Sequence, residues 1–214
     1  MIQIKKYDLP DFQIFFDKEK KSGCLFWVPD DYYIVLGNSN KPEHNLIFRN
    51  VINDEIEVYK RPSGGETVIL SPNTLVFSVK VVVEKFLNPS RHFRYFNDKI
   101  IESLKTLGID NLQYKGISDI AIGDRKILGS SIYRKRNILF YHAVLNIAEP
   151  VETIERYLKH PVKEPGYRKG RTHREFVTSL HNEGYFLSME QLRKAIEPTL
   201  TAINVREIEE QSIS

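Results

Sequence analysis

Apolar residues in the first half of the chain come in short runs that are bounded by turn-forming residues. Two of these runs are rich in aromatic and β-branched residues and are separated by Pro29-Asp30-Asp31, which is typical of two strands joined by a turn. Apolar and polar residues then alternate with period two up to Arg61, which predicts a half-buried strand running into a glycine-containing loop. The predicted strands cover residues 25–28, 32–37, 55–61 and 75–83.

The spacing of apolar residues changes between positions 92 and 107. Residues such as Phe96 and Ile100 now recur at intervals of three or four, and Gly108 follows as a stop signal. This pattern predicts one amphipathic helix. A second, shorter helix is predicted near residues 151–158.

A pair of turn residues, Gly123 and Asp124, separates two further apolar runs. The flanking runs at residues 119–122 and 126–131 therefore predict a β-hairpin, because a glycine supplies the tight bend. The next apolar run, residues 138–147, is expected to add a strand to this hairpin.

The order of these elements indicates the fold class. Strands, one long helix, more strands and terminal helices favour an α+β fold with a mixed, largely antiparallel sheet backed by helices. A last helix is expected after Ser188, because Gln191 stands at the spacing of a capping box. The 214 residues, 41% of them hydrophobic, are enough for one compact domain. We therefore expect a single catalytic-type domain over residues 1–214, with residues 150–214 as a mainly helical C-terminal extension.

Composition excludes several classes of function. The chain has 31 basic and 28 acidic residues, an excess of +3, so no overall field marks a nucleic-acid-binding protein. Apolar runs are far shorter than the roughly 20 residues that span a bilayer, and the N-terminus lacks the pattern of a secretory signal. The single cysteine, Cys24, excludes an internal disulfide and a cysteine-rich zinc site. We expect a cytoplasmic protein that binds neither membrane nor nucleic acid.

The loop at residues 61–65, Arg-Pro-Ser-Gly-Gly, offers what an anionic ligand needs. It combines a guanidinium group, a hydroxyl group and two residues without side chains, whose backbone N–H groups can approach a carboxylate or phosphate closely. Taken alone, this segment is more commonly a plain connection between strands. A second feature is needed to favour a binding site.

A second group of polar residues follows the predicted helix. Lys126 begins a short strand that leads to Gly129 and can place an ammonium group beside a carboxylate and a phosphate. Asp119 precedes it, and His142 lies in the next predicted strand. Each has a simpler interpretation: a solvated turn lysine, a turn-capping aspartate, and a core histidine.

Together these motifs resemble a known family. The order Arg-x-Ser-Gly-Gly, Asp-Ile, Lys-x-x-Gly-Ser and a strand histidine, spread over residues 35–147, is similar to that of the lipoate-protein ligase A and biotin-protein ligase superfamily. Residues 165–180 resemble the stretch that follows the catalytic domain in stand-alone lipoate-protein ligase A-like proteins. The resemblance implies an ATP-dependent ligase that activates lipoate or octanoate as an acyl adenylate and transfers the acyl group to a lysine of a lipoyl domain or other carrier protein.

The resemblance also implies roles for individual residues. Lys126 takes the catalytic role, in contact with the carbonyl and phosphate of the adenylate. Binding of the acid falls to Arg61, Ser63, Gly64, Gly65 and His142. Binding of ATP falls to Val68, Ile69, Asp119, Lys126, Gly129, Ser130 and Ser131. The implied cofactors are ATP and Mg²⁺, with lipoate as substrate and Asp119 as a magnesium ligand.

The chain departs from the common ligase pattern at several positions. Glu66 replaces a third glycine, Leu70 replaces a histidine, and Ser118 replaces an asparagine. The family's His-Gly-Thr is reduced to His-Ala-Val after position 141. A carboxylate at Glu66 would repel an anionic ligand unless it points away or is paired. The sequence also lacks an obvious segment for the accessory C-terminal domain of many lipoate ligases. Three alternatives stay open: the last 60 residues take that role, an accessory subunit does, or the chain is not a full ligase.

Three rival functions stay open. Octanoyl- or lipoyl-transferases of this fold form a thioester on a cysteine, but Cys24 precedes every core motif and no cysteine follows Lys126. A biotin ligase normally carries a Gly-Arg-Gly-Arg loop, which is absent. A non-catalytic homologue would only bind a lipoyl domain. Basic residues of the tail form either a docking face for an acidic carrier or a solvated loop: Lys159, His160, Lys163, Arg168, Lys169, Arg171, His173 and Arg174.

Overall fold

A computed structural model describes residues 2–17, 19, 22–83, 88–203 and 208 of the chain. Two 3₁₀ turns occupy Pro10–Phe12 and His181–Glu183. The other elements, in chain order, are β1 (Ile4–Lys6), α1 (Gln13–Phe16), β2 (Ser22–Trp27), β3 (Tyr33–Leu36), α2 (Pro42–Asn45), α3 (Phe48–Asn53), β4 (Glu57–Lys60), β5 (Val68–Leu70), β6 (Thr74–Val82), α4 (Pro89–Lys105), β7 (Leu112–Lys115), β8 (Asp119–Ile122), β9 (Arg125–Lys135), β10 (Ile138–Asn146), α5 (Val151–Tyr157), α6 (His173–Phe176) and α7 (Met189–Thr201).

The strands form two sheets. Six antiparallel strands make the larger sheet, in the order β2-β6-β10-β9-β8-β7. Four strands make the smaller, mixed sheet in the order β1-β4-β3-β5, where β4 runs parallel to both of its neighbours. The α+β class with largely antiparallel strands is therefore confirmed, but the strands are divided between two sheets rather than joined in one.

Strand β3 explains the division. Ile34, Val35 and Leu36 are almost completely buried, so this strand has apolar neighbours on both of its faces. Ile34 and Leu36 pack in a cluster with residues of α3 and α5. Val35 packs in a second cluster that joins the smaller sheet to the larger one. Because β3 packs against the larger sheet on one face and against helices on the other, the smaller sheet lies between the larger sheet and these helices.

Helices α4 and α7 cover the other face of the larger sheet. The apolar spacing of α4 buries Phe96, Ile100 and Leu104 completely, and the same core cluster includes Leu192 and Ile196 of α7. The extension after residue 150 thus contributes to the main core. The interpretation of residues 1–214 as one domain with a helical extension stays a prediction.

Local predictions for several elements are confirmed. Strands β8 and β9 form the predicted hairpin, with Gly123 at a φ of +57° in its turn, and β10 pairs onto β9. At α7, the side chains of Ser188 and Gln191 make both hydrogen bonds of a capping box. Other features differ: the strands on either side of Pro29 lie in different sheets, and the short strands β1, β5 and β7 were not predicted. Among the described residues, no helix is both long and apolar enough to cross a membrane.

Candidate active site

Two adjoining cavities lie where the loop at residues 61–65 meets strands β9 and β10. The loop cavity, of about 110 Å³, is bounded by Arg61, Gly65, Ser131 and His142. The tail cavity, of about 160 Å³, extends under residues 159–177. The residues that line both cavities form a common wall: Glu66, Thr67, Val68, Lys126, Gly129 and Val144. The lysine and the glycine loop that the sequence singled out therefore both border the loop cavity.

Arg61 holds the glycine loop in place. Its guanidinium group donates hydrogen bonds to the carbonyl oxygens of Val35 at 3.1 Å, Gly64 at 2.8 Å and Glu66 at 2.8 Å. Only 5% of the residue is exposed, and burial lowers the pKa of the guanidinium to about 10. Its N–H groups are thus directed to the backbone of the protein. Direct binding of the acid by Arg61 stays a prediction.

Close backbone contacts fix the same loop to the two sheets. A Cβ atom at Gly37, which follows β3, would lie 1.9 Å from the carbonyl oxygen of Gly65. Gly65 has a φ of +90°, a conformation that favours glycine. From the larger sheet, the Ser131 hydroxyl donates to the carbonyl of Gly64 at 2.8 Å. Gly37 and Gly65 therefore serve a tightly packed turn.

Lys126 lies over Gly129 at the common wall. Its Nζ is 2.7 Å from Oδ1 of Asp119, a residue that is 4% exposed. The other oxygen of Asp119 accepts a hydrogen bond of 2.9 Å from the Tyr167 hydroxyl, whose pKa is raised by burial and by Asp119. Gly129 leaves the necessary space, since a Cβ atom there would lie 2.7 Å from Nζ. The ammonium group is therefore held at a fixed place.

A buried chain of hydrogen bonds connects the loop to the N-terminal segment. Ser63 Oγ lies 2.8 Å from Nε2 of His142, and Nδ1 of that histidine lies 3.3 Å from Oδ2 of Asp11. The Tyr7 hydroxyl donates to the other oxygen of Asp11 at 2.7 Å. Burial lowers the pKa of His142, which favours the neutral ring. With Nδ1 donating to Asp11, Nε2 accepts from the Ser63 hydroxyl.

The Glu66 carboxylate is turned toward amide groups. It accepts hydrogen bonds of 3.3 Å from the side chains of Asn40 and Asn45. The departure from the family's third glycine is thus accommodated by two neutral donors. The Ser130 hydroxyl, a predicted ATP-binding group, donates a hydrogen bond to the backbone carbonyl of Ser118 at 2.8 Å.

The cavities collect most of the predicted site residues. The loop cavity contains Arg61, Gly65, Val68, Lys126, Gly129, Ser130, Ser131 and His142 among its lining residues. The tail cavity contains Val68, Ile69, Asp119, Lys126 and Gly129. Ser63 and Gly64 line neither cavity. Ser63 contacts His142, and the carbonyl of Gly64 accepts hydrogen bonds from Arg61 and Ser131. Sequence reasoning missed Tyr7, Asp11 and Tyr167.

The described side chains do not by themselves form a magnesium site. No group of three or more histidine, cysteine, aspartate or glutamate residues is placed to hold a metal ion in the described part of the chain. Asp119 has both oxygens engaged, one by an ammonium and one by a phenol. Magnesium binding by Asp119 stays a prediction.

The basic residues of the tail divide into two groups. Arg168 and Arg171 donate to backbone carbonyls of their own loop, and Arg174 pairs with Glu152 and Glu155. Lysines such as Lys163 are exposed. A docking role for this surface stays a prediction, and it would depend on the lysines more than on the arginines.

Comparison with known proteins identifies the family. The family model described as the lipoyl protein ligase A/B catalytic domain matches residues 13–201. The chain belongs to this family. The matched span includes the glycine loop, Lys126 and the tail that covers the second cavity, so the family predicted from the motifs is confirmed.

Relatives in the lipoyl protein ligase family are similar over most of this chain. Lipoate–protein ligase 1 of Staphylococcus aureus is 27% identical over 199 residues, which are 91% of this chain and 58% of that protein. Lipoate-protein ligase A of Psychrobacter cryohalolentis is 28% identical over 145 residues, which are 66% of this chain and 40% of that protein. The chain thus spans about half the length of these curated relatives.

Solved structures in the same family share the fold. A bi-partite lipoate protein ligase from Thermoplasma acidophilum, studied with its E2 lipoyl domain, gives a TM-score of 0.74 at 19% identity, covering 90% of this chain and 79% of that one. A lipoate-protein ligase A bound with ATP gives a TM-score of 0.75 at 17% identity, covering 99% of this chain and 92% of that one. These likenesses confirm the predicted fold.

Proposed function

We propose that the chain is the catalytic domain of a lipoate-protein ligase. It activates lipoate or octanoate with ATP to an acyl adenylate and passes the acyl group to a lysine of a lipoyl domain or similar carrier protein. The observation that carries this proposal is the position of Lys126, whose side chain belongs to the wall between the two cavities. An acid in one cavity and a nucleotide in the other would meet at its ammonium group.

The loop cavity has the chemistry of a site for an aliphatic acid. One part of its lining is apolar and includes Val35, Leu70 and Val76, which suits a hydrocarbon chain. Ser131 and His142 supply polar groups in the same cavity. Such a division favours a ligand with an apolar tail and one charged end. It does not separate lipoate from octanoate, so both are candidate substrates.

The first step forms one bond and breaks one. A carboxylate oxygen of the acid attacks the α-phosphorus of ATP, the bond between the α- and β-phosphates breaks, and pyrophosphate leaves. Negative charge increases on the α-phosphate oxygens in the transition state, where the Lys126 ammonium is held by Asp119 and offsets it. Holding the two reactants side by side supplies much of the rate enhancement.

The second step transfers the acyl group. The neutral amine of the carrier lysine attacks the carbonyl carbon of the acyl adenylate, AMP leaves, and the amine loses a proton. Lys126 stays beside the acyl carbonyl group and the phosphate of AMP, the two groups between which the bond breaks. Residues 159–177 line the tail cavity and would limit access of water to the adenylate before the carrier arrives. Whether an accessory subunit is also needed stays a prediction.

The test is an ATP–pyrophosphate exchange screen with lipoate, octanoate and biotin. We expect exchange with lipoate or octanoate and none with biotin. Lys126→Gln should abolish exchange, because it removes the charge while keeping a hydrogen-bond donor for Asp119. Lys194→Ala, at a lysine whose side chain is 75% exposed on α7, is the matched control and should keep full activity.

The same screen separates the rival functions. Exchange that persists in Lys126→Gln would contradict the assigned role of the lysine. Absence of exchange with every acid, together with an octanoyl thioester on Cys24 after incubation with octanoyl carrier, would indicate a transferase instead. Absence of both reactions, with retained binding to a lipoyl domain, would indicate the non-catalytic homologue.

A further inference from the structure

Tyr167 belongs to the tail segment, residues 159–178, but its side chain lines neither of the two cavities. Its ring packs against Phe176, with the ring centroids 5.0 Å apart. The ring also packs against Gly116, where a Cβ atom would lie 3.4 Å from Cε1 of the tyrosine. Arg171 donates a hydrogen bond of 2.9 Å to the Tyr167 carbonyl. The backbone and the ring are therefore held in place by contacts that do not involve the hydroxyl group.

The Tyr167 hydroxyl connects this segment to the lysine between the cavities. It donates a hydrogen bond of 2.9 Å to Oδ2 of Asp119. Burial and the nearby carboxylate raise the pKa of the phenol, so the group stays protonated and remains a donor at neutral pH. Asp119 is almost completely buried, and its other oxygen lies 2.7 Å from Nζ of Lys126. One carboxylate thus links the tyrosine to the lysine.

A β-bulge brings Lys126 to the same face of the sheet as Asp119. Asp119 pairs with Gly129 across β8 and β9. Two residues further along β8, Ala121 pairs with Lys126 instead of Ile127, so β9 has one extra residue there. Without this bulge the lysine would point to the opposite face, because successive residues of a strand alternate between faces. The bulge aims the lysine at the carboxylate but does not fix the end of its long side chain.

The aspartate alone does not define where the ammonium group lies. The terminal torsion of an aspartate has a broad, roughly two-fold energy profile, so a carboxylate that is bonded at one oxygen only can turn. The hydrogen bond from Tyr167 to Oδ2 restricts this rotation and keeps Oδ1 directed at Lys126. The two contacts of one carboxylate therefore define the position of the positive charge.

The tail segment contacts Lys126 a second time through its backbone. Val177 forms an isolated parallel bridge with Lys126, and the N–H of Thr178 donates to the Lys126 carbonyl at 2.9 Å. The main chain of the lysine is thus fixed by the end of the tail segment. The end of its side chain is fixed by Tyr167 through Asp119.

We infer that Tyr167 is a positioning residue, whose hydroxyl holds Asp119 so that Asp119 holds the Lys126 ammonium where negative charge increases during adenylate formation. This inference rests on the proposed function, because it requires that Lys126 acts in that step. Tyr167 lines neither cavity, so it affects the reaction through Asp119 and not through contact with a ligand. The tail segment thereby contributes to the chemistry as well as covering the tail cavity.

The test is Tyr167→Phe, which removes the hydroxyl and keeps the ring that packs on Phe176. ATP–pyrophosphate exchange with lipoate or octanoate gives kcat and KM separately. We expect kcat to fall about 10- to 100-fold, because a displacement of about 1 Å at a reacting centre can lower the rate about 100-fold. The KM for ATP should stay within about twofold of the wild-type value, since no contact with the ligand is removed.

Tyr33→Phe is the matched control. The Tyr33 hydroxyl also donates to an aspartate, Asp30, at 2.6 Å, but neither residue lines a cavity. This variant should change neither kcat nor KM.

A double-mutant cycle tests whether the hydroxyl acts through Asp119. In an Asp119→Ala background the hydroxyl has no carboxylate to hold, so adding Tyr167→Phe should lower kcat by less than about twofold further. A further loss as large as in the wild-type background would show a route that bypasses Asp119 and overturn the inference. The kcat and KM values of Tyr167→Phe remain decisive even if Asp119→Ala does not fold.

Other results would also overturn the inference. An unchanged kcat in Tyr167→Phe would show that the hydroxyl is not needed. A lower kcat together with a higher KM for ATP, or loss of folding, would assign the hydroxyl a structural role in the tail segment. If Tyr167→Phe and the wild-type chain are equally active, this inference fails and the ligase assignment stands. If the wild-type chain shows no exchange with any acid, both fail.

Discussion

Replacing Gly129 with alanine would place a methyl group where the Lys126 side chain now lies. The new Cβ atom would be 2.7 Å from Nζ and 2.8 Å from Cε of that lysine. Non-bonded heavy atoms normally approach to about 3.5–4.0 Å, so the end of the lysine must move by about 1 Å. The lysine can rotate away, because the contact is with the flexible end of its side chain.

This displacement should separate activity from stability. A misplacement of about 1 Å at a reacting centre can lower the rate about 100-fold. The free energy of unfolding should change by less than about 2 kcal/mol, since the strain is relieved by a side-chain rotation and the ion pair with Asp119 is partly exposed. ATP–pyrophosphate exchange and thermal unfolding measure the two quantities on the same preparation.

A second glycine provides the control for this variant. Gly23 lies in β2, and a Cβ atom there would meet no heavy atom within 4 Å. Gly23→Ala should therefore keep both exchange activity and stability. Full exchange activity in Gly129→Ala would refute the reasoning, because it would show that the position of the ammonium is unimportant. An equal loss in both variants would refute it too.

Two further predictions concern the fold around the site. Gly37→Ala should lower the free energy of unfolding by about 1–3 kcal/mol or more, because its Cβ would lie 1.9 Å from the Gly65 carbonyl oxygen, a backbone atom that cannot rotate away. Gly23→Ala is again the control. An unchanged urea denaturation curve for Gly37→Ala would contradict this prediction. Burial lowers the pKa of both His92 and His142 below the unfolded value near 6.5, so the unfolded chain binds more protons below that pH. Stability should be complete above pH 6.5 and fall as the pH drops, by up to about 1.4 kcal/mol per pH unit for each histidine; urea unfolding at pH 7.5 and 5.5 that gives equal free energies would contradict the expected slope.

Features that depend on nearby residues were predictable from the sequence. The β8–β9 hairpin follows from alternating residues around a Gly-Asp turn, and the α7 capping box follows from two residues three positions apart. Lys126 and the loop after Arg61 were recognisable because their motifs are contiguous. The two motifs belong to the same family pattern, and in the structure both line the loop cavity.

Features that depend on distant packing were not predictable. Asp11 meets His142 across 131 positions, and nothing in the residues around Asp11 indicates that partner. Glu149 accepts a hydrogen bond from Ser71, 78 positions away. The division into two sheets depends on β3 being buried on both faces, whereas a run of apolar residues fits either arrangement.

The wall shared by the two cavities has a thermodynamic consequence. Val68 and Lys126 each contribute to both hollows, so a ligand that shifts either residue changes the space offered to the other ligand. If the proposed nucleotide changes the dissociation constant of the proposed acid by some factor, the acid must change the dissociation constant of the nucleotide by the same factor. Binding of the proposed acid and binding of the proposed nucleotide would therefore be linked through the shared wall, whichever enters first.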